Sequence, residues 1–162
     1  MYVILTPGAW GGVNNPIGTK FPQGKFNRNG IAPNNLPARV ELHVGLLSQT
    51  LPVFITEQVS QRFNQYISFL HIDCDLYTST FEALASSVCL FVKGTIIEFD
   101  EALGYLGWET SGEWLAFTQI VSLFDLKWTP LTTFKMRMSV SIENEVRSMH
   151  PACEYLQKLE WD

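Results

Sequence analysis

The chain has 162 residues, a length that suits one domain with a substantial core. Hydrophobic residues make up 46% of it and charged residues 17%, which excludes a disordered or fibrous protein. The net charge of −5 and the lack of a basic stripe argue against a nucleic-acid partner. No apolar run approaches the ~20 residues of a membrane span, and no basic region precedes one as in a signal peptide. We therefore expect a cytoplasmic protein with neither a nucleic-acid nor a membrane partner.

The cysteines carry little information in the sequence. Cys74, Cys89 and Cys153 are too few and too scattered to predict a disulfide framework or a zinc site. An odd number of cysteines also fits a reducing compartment.

Residues 1–38 differ in composition from the rest of the chain. After a short apolar run, Tyr2–Leu5, this segment holds most of the Gly, Pro and Asn residues, which predicts an irregular, loop-rich structure. We interpret Gly8, Gly11 and Gly12 as ordinary turn residues. A turn that cradles a cofactor needs a helix after it, and Pro16 opposes one.

Residues 39–143 show the regular periodicity of an α/β body. Val40–Val44 predicts a strand, and Leu51–Ile55 predicts a short helix. Tyr66–Ile72 and Thr95–Phe99 are almost entirely apolar, which predicts two strands buried on both faces, as in a parallel sheet.

Two further helices are predicted from capping signals. Ser79 and Glu82 have the spacing of a capping box, and apolar residues follow at helical spacing until Gly94 ends the pattern. Thr110 and Glu113 repeat the same spacing before a second apolar face.

The last regular segment predicts an antiparallel hairpin. Lys127–Phe134 and Arg137–Glu143 flank a very short connection, and the second of them alternates strictly between apolar and polar residues. A short helix over Ala152–Trp161 is predicted within the tail, residues 144–162. The order of elements predicts a single doubly wound α/β domain over residues 1–162, with a mostly parallel sheet and a C-terminal antiparallel hairpin.

Acidic residues follow both apolar strands at the point where each strand ends. Asp73 and Asp75 follow the first strand, and Asp100 and Glu101 follow the second. Ligands of open α/β sheets bind beyond these carboxyl ends, and carboxylate oxygens are the ligands that Mg²⁺ prefers. The pattern indicates a divalent-metal site or, alternatively, an ordinary helix cap at Asp75.

The motifs around these acids resemble those of the macrocin O-methyltransferase family over about residues 20–143. The most specific element is the run DxDLYxST, which begins at Asp73. The other matching segments are Gly24–Phe26, Gly30, Val40–Leu42, Gly45, Thr50–Pro52, Phe69–Ile72, Gly94–Glu101, Gly107–Trp108, Gly112–Glu113 and Ala116–Phe117.

The resemblance implies a class I fold and an O-methyltransferase that uses S-adenosylmethionine and Mg²⁺ to methylate a hydroxyl of a sugar or natural product. It implies that Asp73 is both a metal ligand and the general base, and that Asp73 also contributes to cofactor binding. Asp100 and Glu101 would complete the metal site. Gly45 and Leu46 would line the adenine pocket.

The family's first strand and its Gly-rich turn precede the region that matches. We therefore expect the fold to lack its first βα unit and the chain to be an inactive or truncated member of the family. The strand that ends at Asp73 would then be an exposed edge. A second copy of this chain or another chain would cover it.

Two other functions stay open at this point. An apolar strand that ends in Asp-x-Asp also describes the metal motif of glycosyltransferases. A non-catalytic module that completes its sheet with a partner is the third hypothesis.

Further side chains near these strand ends have less specific interpretations. His71 is predicted to be a hydrogen-bonded core histidine, and Cys74 is predicted to pack in the core. Tyr105 and Trp108 would either stack on a sugar ring or cover the core.

Overall fold

The computed structural model describes residues 2–4, 35–61, 66–146 and 151–153. Three helices, six strands and three 3₁₀ turns lie within these ranges. In chain order they are β1 (Tyr2–Ile4), β2 (Val40–Leu42), α1 (Leu47–Gln61), β3 (Ile67–Ile72), α2 (Tyr77–Ser87), a 3₁₀ turn (Val88–Leu90), β4 (Phe91–Phe99), a 3₁₀ turn (Trp108–Thr110), α3 (Gly112–Phe124), β5 (Trp128–Phe134), β6 (Arg137–Ile142) and a 3₁₀ turn (Pro151–Cys153). The protein is thus a mixed α/β structure, as the sequence predicted.

The main sheet has four strands in the order β3-β4-β6-β5. β3 and β4 are parallel, whereas β6 is antiparallel to both β4 and β5. β1 and β2 form a separate parallel pair. The described strands thus make two parallel and two antiparallel pairs. A mostly parallel sheet was predicted, and parallel pairing does not predominate among these strands. The doubly wound arrangement stays a prediction.

β3 is less buried than its apolar sequence predicted. Phe69 is 51% exposed and His71 is also exposed, and the two side chains lie on the same face of β3, an edge strand of the described sheet. The prediction that this strand is buried on both faces is therefore wrong. His71 is not a core histidine either, since its side chain is 46% exposed. Its Nε2 lies 4.0 Å from Oε1 of Glu98 on the neighbouring strand.

β4 begins four residues earlier than predicted. Gly94 does not end a helix, because it lies inside the strand with a left-handed φ of +93° that suits glycine. The next residue, Thr95, is buried and ties β4 to the start of β3. Its hydroxyl donates a hydrogen bond to the Ile67 carbonyl at 2.5 Å and accepts one from the Val92 N–H at 3.0 Å.

The helices begin at positions other than the predicted caps. α1 extends from Leu47 to Gln61, well beyond the short helix predicted at Leu51–Ile55. The capping residue of α2 is Leu76, which provides no side-chain cap, and Ser79 lies inside the helix. α2 packs against both α1 and α3.

The predicted C-terminal hairpin is confirmed. β5 and β6 pair antiparallel around a turn in which Lys135 has a φ of +55°. The apolar residues Met138, Val140 and Ile142 on β6 are buried and contribute to the core, as the alternation predicted.

The core lies between this sheet and the helices. Phe99 on β4 and Phe117 on α3 are fully buried, with ring centroids 5.2 Å apart. Trp128 on β5 contacts Phe117 edge-on at 5.3 Å. Aromatic pairs of this kind add stability beyond the burial of their area.

One disulfide bond was not predicted. Cys89 and Cys153 are joined, although 64 residues separate them in sequence, and both are buried in the core. Cys74 is a free thiol. Among the described helices, none is long and apolar enough to cross a membrane.

Candidate metal site

The parallel pairing of β3 and β4 brings the predicted acidic residues to one edge of the sheet. The pairing continues just past the strand ends, where the Asp100 N–H donates to the Ile72 carbonyl at 3.0 Å. Beyond β3 the chain turns sharply, because Asp75 adopts a left-handed φ of +58° and the Leu76 N–H donates to the Cys74 carbonyl. Asp tolerates this conformation better than most residues.

Three carboxylates converge at this edge and are called the acidic cluster below: Asp73, Asp75 and Glu101. Each offers an oxygen, and the three oxygens lie within 4.8 Å of one another. Asp73 is exposed, Glu101 is half-buried, and Asp75 is only 9% exposed. Oε2 of Glu101 is buried with no hydrogen-bond donor among the described residues. A set of oxygen donors with one orphaned oxygen fits a hard divalent cation.

The electrostatics of the cluster favour a bound positive charge. Burial raises the pKa of Glu101 to about 9, and the neighbouring charge and hydrogen bond of Asp75 add to this effect. Burial also raises the pKa of Asp75, although its hydrogen bond with Glu101 works in the opposite direction. A divalent cation at this point would offset the repulsion between the carboxylates.

Asp100, a predicted metal ligand, lies next to the cluster but has a different partner. Nε of Arg137, at the start of β6, is 2.5 Å from Oδ1 of Asp100. This is an ion pair without the alignment of a hydrogen bond. Asp75, which the sequence also offered as a possible helix cap, is the third member of the cluster. A role for Asp100 as a metal ligand stays a prediction.

Glu113 is a buried residue of the site whose role the sequence analysis did not predict. Its spacing from Thr110 predicts a capping box, but Ser111 precedes α3 without a side-chain cap. The Glu113 carboxylate is fully buried and accepts hydrogen bonds from the backbone N–H of Cys74 at 3.0 Å and of Glu101 at 3.1 Å. Burial raises its pKa to about 7. Cys74 is 39 residues from Glu113 in the sequence, so the local pattern of residues could not predict this hydrogen bond.

The predicted adenine-pocket residues lie between β2 and α1. Gly45 has a φ of +153°, and a Cβ there would lie 2.7 Å from Cγ2 of Thr50. The close approach of Thr50 thus explains why this position is a glycine. Leu46 is 42% exposed. A role for either in cofactor binding stays a prediction. Gly8, Gly11 and Gly12 lie outside the described residues.

The aromatic residues of the loop after β4 are half-buried and contact α3, and stacking on a sugar ring stays a prediction for them. Trp108 contacts Trp114 edge-on, with ring centroids 5.8 Å apart. The Tyr105 hydroxyl lies against Gly112 at the start of α3. Cys74 packs against the core, and burial raises the pKa of its thiol to about 12, which suits a packing role.

Comparison with known proteins gives partial structural matches. The apo structure of CalS11, a TDP-rhamnose 3'-O-methyltransferase of calicheamicin biosynthesis, is 25% identical with a TM-score of 0.48, and the match covers 62% of this chain and 40% of that one. A crystal structure of CalS11, described as a calicheamicin methyltransferase, gives 25% identity and a TM-score of 0.49 over 62% and 36%. This chain thus spans less than half the length of the CalS11 chain in both structures. No family model and no curated protein matches this chain.

Proposed function

We propose that this chain is an O-methyltransferase, or the metal-binding part of one, that uses S-adenosylmethionine and a divalent cation to methylate a hydroxyl of a sugar or natural product. The observation that carries the proposal is the acidic cluster at the carboxyl ends of two neighbouring parallel strands. It is supported by the DxDLYxST motif in this chain, whose two aspartates both belong to the cluster.

The members of the cluster would have different tasks. Asp75 and Glu101, which are the more buried, would mainly hold the cation. Asp73 is exposed and would contact both the cation and the acceptor, so that it can take the proton of the acceptor hydroxyl. The cation would lower the pKa of that hydroxyl, and S-adenosylmethionine would supply the methyl group. Gly45 and Leu46 would contact the adenine.

Titration calorimetry with Mn²⁺ or Mg²⁺ and with S-adenosylmethionine tests this proposal. We expect the wild type to bind the cation. D73N and E101Q should weaken cation binding by roughly tenfold or more, which corresponds to about 1.4 kcal/mol. E143Q changes an exposed glutamate at the end of the hairpin and is the matched control, with unchanged affinity.

Transfer of a labelled methyl group to a panel of sugar hydroxyls would then identify the acceptor class. A wild-type protein that binds neither the cation nor S-adenosylmethionine would refute the proposed function.

A glycosyltransferase is the second candidate function. One observation favours it. Both aspartates of Asp73-Cys74-Asp75 offer an oxygen to the same cluster, as the metal motif of these enzymes requires. A melting temperature that rises with metal and a nucleotide sugar, but not with metal and S-adenosylmethionine, would place this function first.

We also propose that the edge of β3 pairs with a second copy of this chain. Apolar side chains at this edge are exposed, Tyr66 by 43% and Phe69 by 51%. Exposed apolar edge strands are prone to pair with other strands. Light scattering tests this, and a monomer at all concentrations would rule it out.

A further inference from the structure

We propose that Glu113 is a positioning residue that holds the ends of β3 and β4 together and thereby fixes the acidic cluster. The inference rests on the proposed function, because the cluster matters only if it binds a cation. It starts from an unusual pair of contacts, in which one buried carboxylate accepts the backbone N–H groups of two different strand ends.

The two N–H groups lie just beyond the last hydrogen bond of the parallel ladder, from the Asp100 N–H to the Ile72 carbonyl. Without a carboxylate from α3, the N–H groups of Cys74 and Glu101 would have to find other acceptors. Glu113 provides one oxygen for each, Oε1 for Cys74 and Oε2 for Glu101. These two hydrogen bonds are called the Glu113 bridge below.

The bridge acts on the backbone that carries the cluster. Cys74 lies between Asp73 and Asp75, so fixing its amide fixes the direction of both neighbouring side chains. The other amide belongs to Glu101 itself. The bridge therefore orients all three carboxylates without contacting a bound cation. Groups that orient metal ligands in this way typically change metal affinity by roughly 10- to 100-fold when they are removed.

The chain offers a matched control for this role. Thr95 is also fully buried, and its hydroxyl also ties β4 to β3, but at the start of β3, away from the cluster. T95V and E113Q each keep roughly the size of the side chain. T95V removes the hydrogen bonds of the Thr95 hydroxyl, and E113Q removes one of the two acceptor oxygens of the Glu113 bridge. A purely structural role predicts the same consequences for both variants.

The experiment compares wild type, E113Q and T95V by calorimetry with Mn²⁺ and by hydrogen–deuterium exchange of the amides, both at about pH 8, where the Glu113 carboxylate predominates. We expect E113Q to weaken Mn²⁺ binding by roughly 10-fold or more. We also expect it to accelerate exchange at the amides of Cys74 and Glu101. T95V should leave Mn²⁺ affinity within about twofold of wild type, because the cluster is intact.

Unchanged Mn²⁺ affinity in E113Q, or an equal loss in T95V, would overturn the inference. If the wild type binds neither Mn²⁺ nor S-adenosylmethionine, the proposed function fails, but hydrogen–deuterium exchange still tests whether the Glu113 bridge is present. If E113Q does not fold, exchange is measured on the wild-type protein alone. Slow exchange at both amides supports the bridge, and exchange as fast as in an exposed loop overturns it.

Discussion

Replacing Gly112 by alanine tests the local geometry that brings Glu113 to the strand ends. Gly112 begins α3 with a φ of +57°, a left-handed conformation that costs a residue with a side chain about 1 kcal/mol or slightly more. A Cβ at this position would also overlap the Tyr105 hydroxyl oxygen, and it would lie 3.4 Å from the Asp75 carbonyl oxygen. The distance to the carbonyl is ordinary contact, but the overlap requires the tyrosine to move, at a cost of about 1–3 kcal/mol.

The two contributions together predict that G112A lowers the free energy of unfolding by about 2–4 kcal/mol. For a chain of this size, each kcal/mol lowers the melting temperature by about 2–4 °C. Urea unfolding followed by circular dichroism measures the change directly.

G107A is the control for the free-energy cost of the left-handed backbone conformation. Gly107 has a φ of +81°, but nothing lies within 4 Å of the position of its Cβ. We therefore expect a loss of only about 1 kcal/mol. Combining G112A with Y105F removes the overlapping hydroxyl and should recover about 1 kcal/mol or more of the steric loss. If G112A is as mild as G107A, or costs the same with and without the tyrosine hydroxyl, then the close approach has no energetic consequence and the reasoning is wrong.

Three further predictions concern other parts of the chain. The Cys89–Cys153 disulfide closes a loop of 64 residues, so C89S/C153S should lose about 4 kcal/mol of stability in urea unfolding, and equal stability of wild type and variant under oxidising conditions would contradict this. R137M removes the charge partner of Asp100 and should cost about 0.5–1 kcal/mol, because the arginine side chain is largely exposed. A double-mutant cycle with D100N measures the coupling, and a coupling of zero would contradict this. Because burial raises the pKa of Glu113 from 4.5 to about 7, the folded protein binds more protons than the unfolded chain between these pH values. Its contribution should therefore lower the free energy of unfolding by about 3 kcal/mol as pH rises through this window and stay constant above it, which a comparison of wild type with E113Q would measure.

Several features of the fold could be predicted from the sequence because they depend on local periodicity. The strict alternation from Arg137 to Glu143 predicted a half-buried strand, and β6 buries its apolar side chains as expected. The apolar runs that end at Asp73 and Asp100 predicted two strands whose carboxyl ends carry acids, and the parallel pairing of β3 and β4 places these ends side by side. Periodicity of two residues and apolar composition are properties of a short segment, so no tertiary information is needed.

The caps and boundaries were harder to predict. A Ser or Thr three residues before a glutamate matches a capping box by spacing alone, yet neither predicted box forms. Glu113 instead finds backbone donors on two strands, with which it can pair only once the helix has docked on the sheet.

The sequence by itself determined that acidic side chains follow two apolar strands in this protein. Only the tertiary structure decided which of them meet. The left-handed backbone of Asp75 brings its carboxylate to Glu101, whereas the start of β6 brings Arg137 to Asp100. The same is true of the Cys89–Cys153 bond and of the exposed face of β3, which depend on segments far apart in the chain and on the order of strands in the sheet. Such contacts are set by packing of distant elements, about which the local pattern of residues carries almost no information.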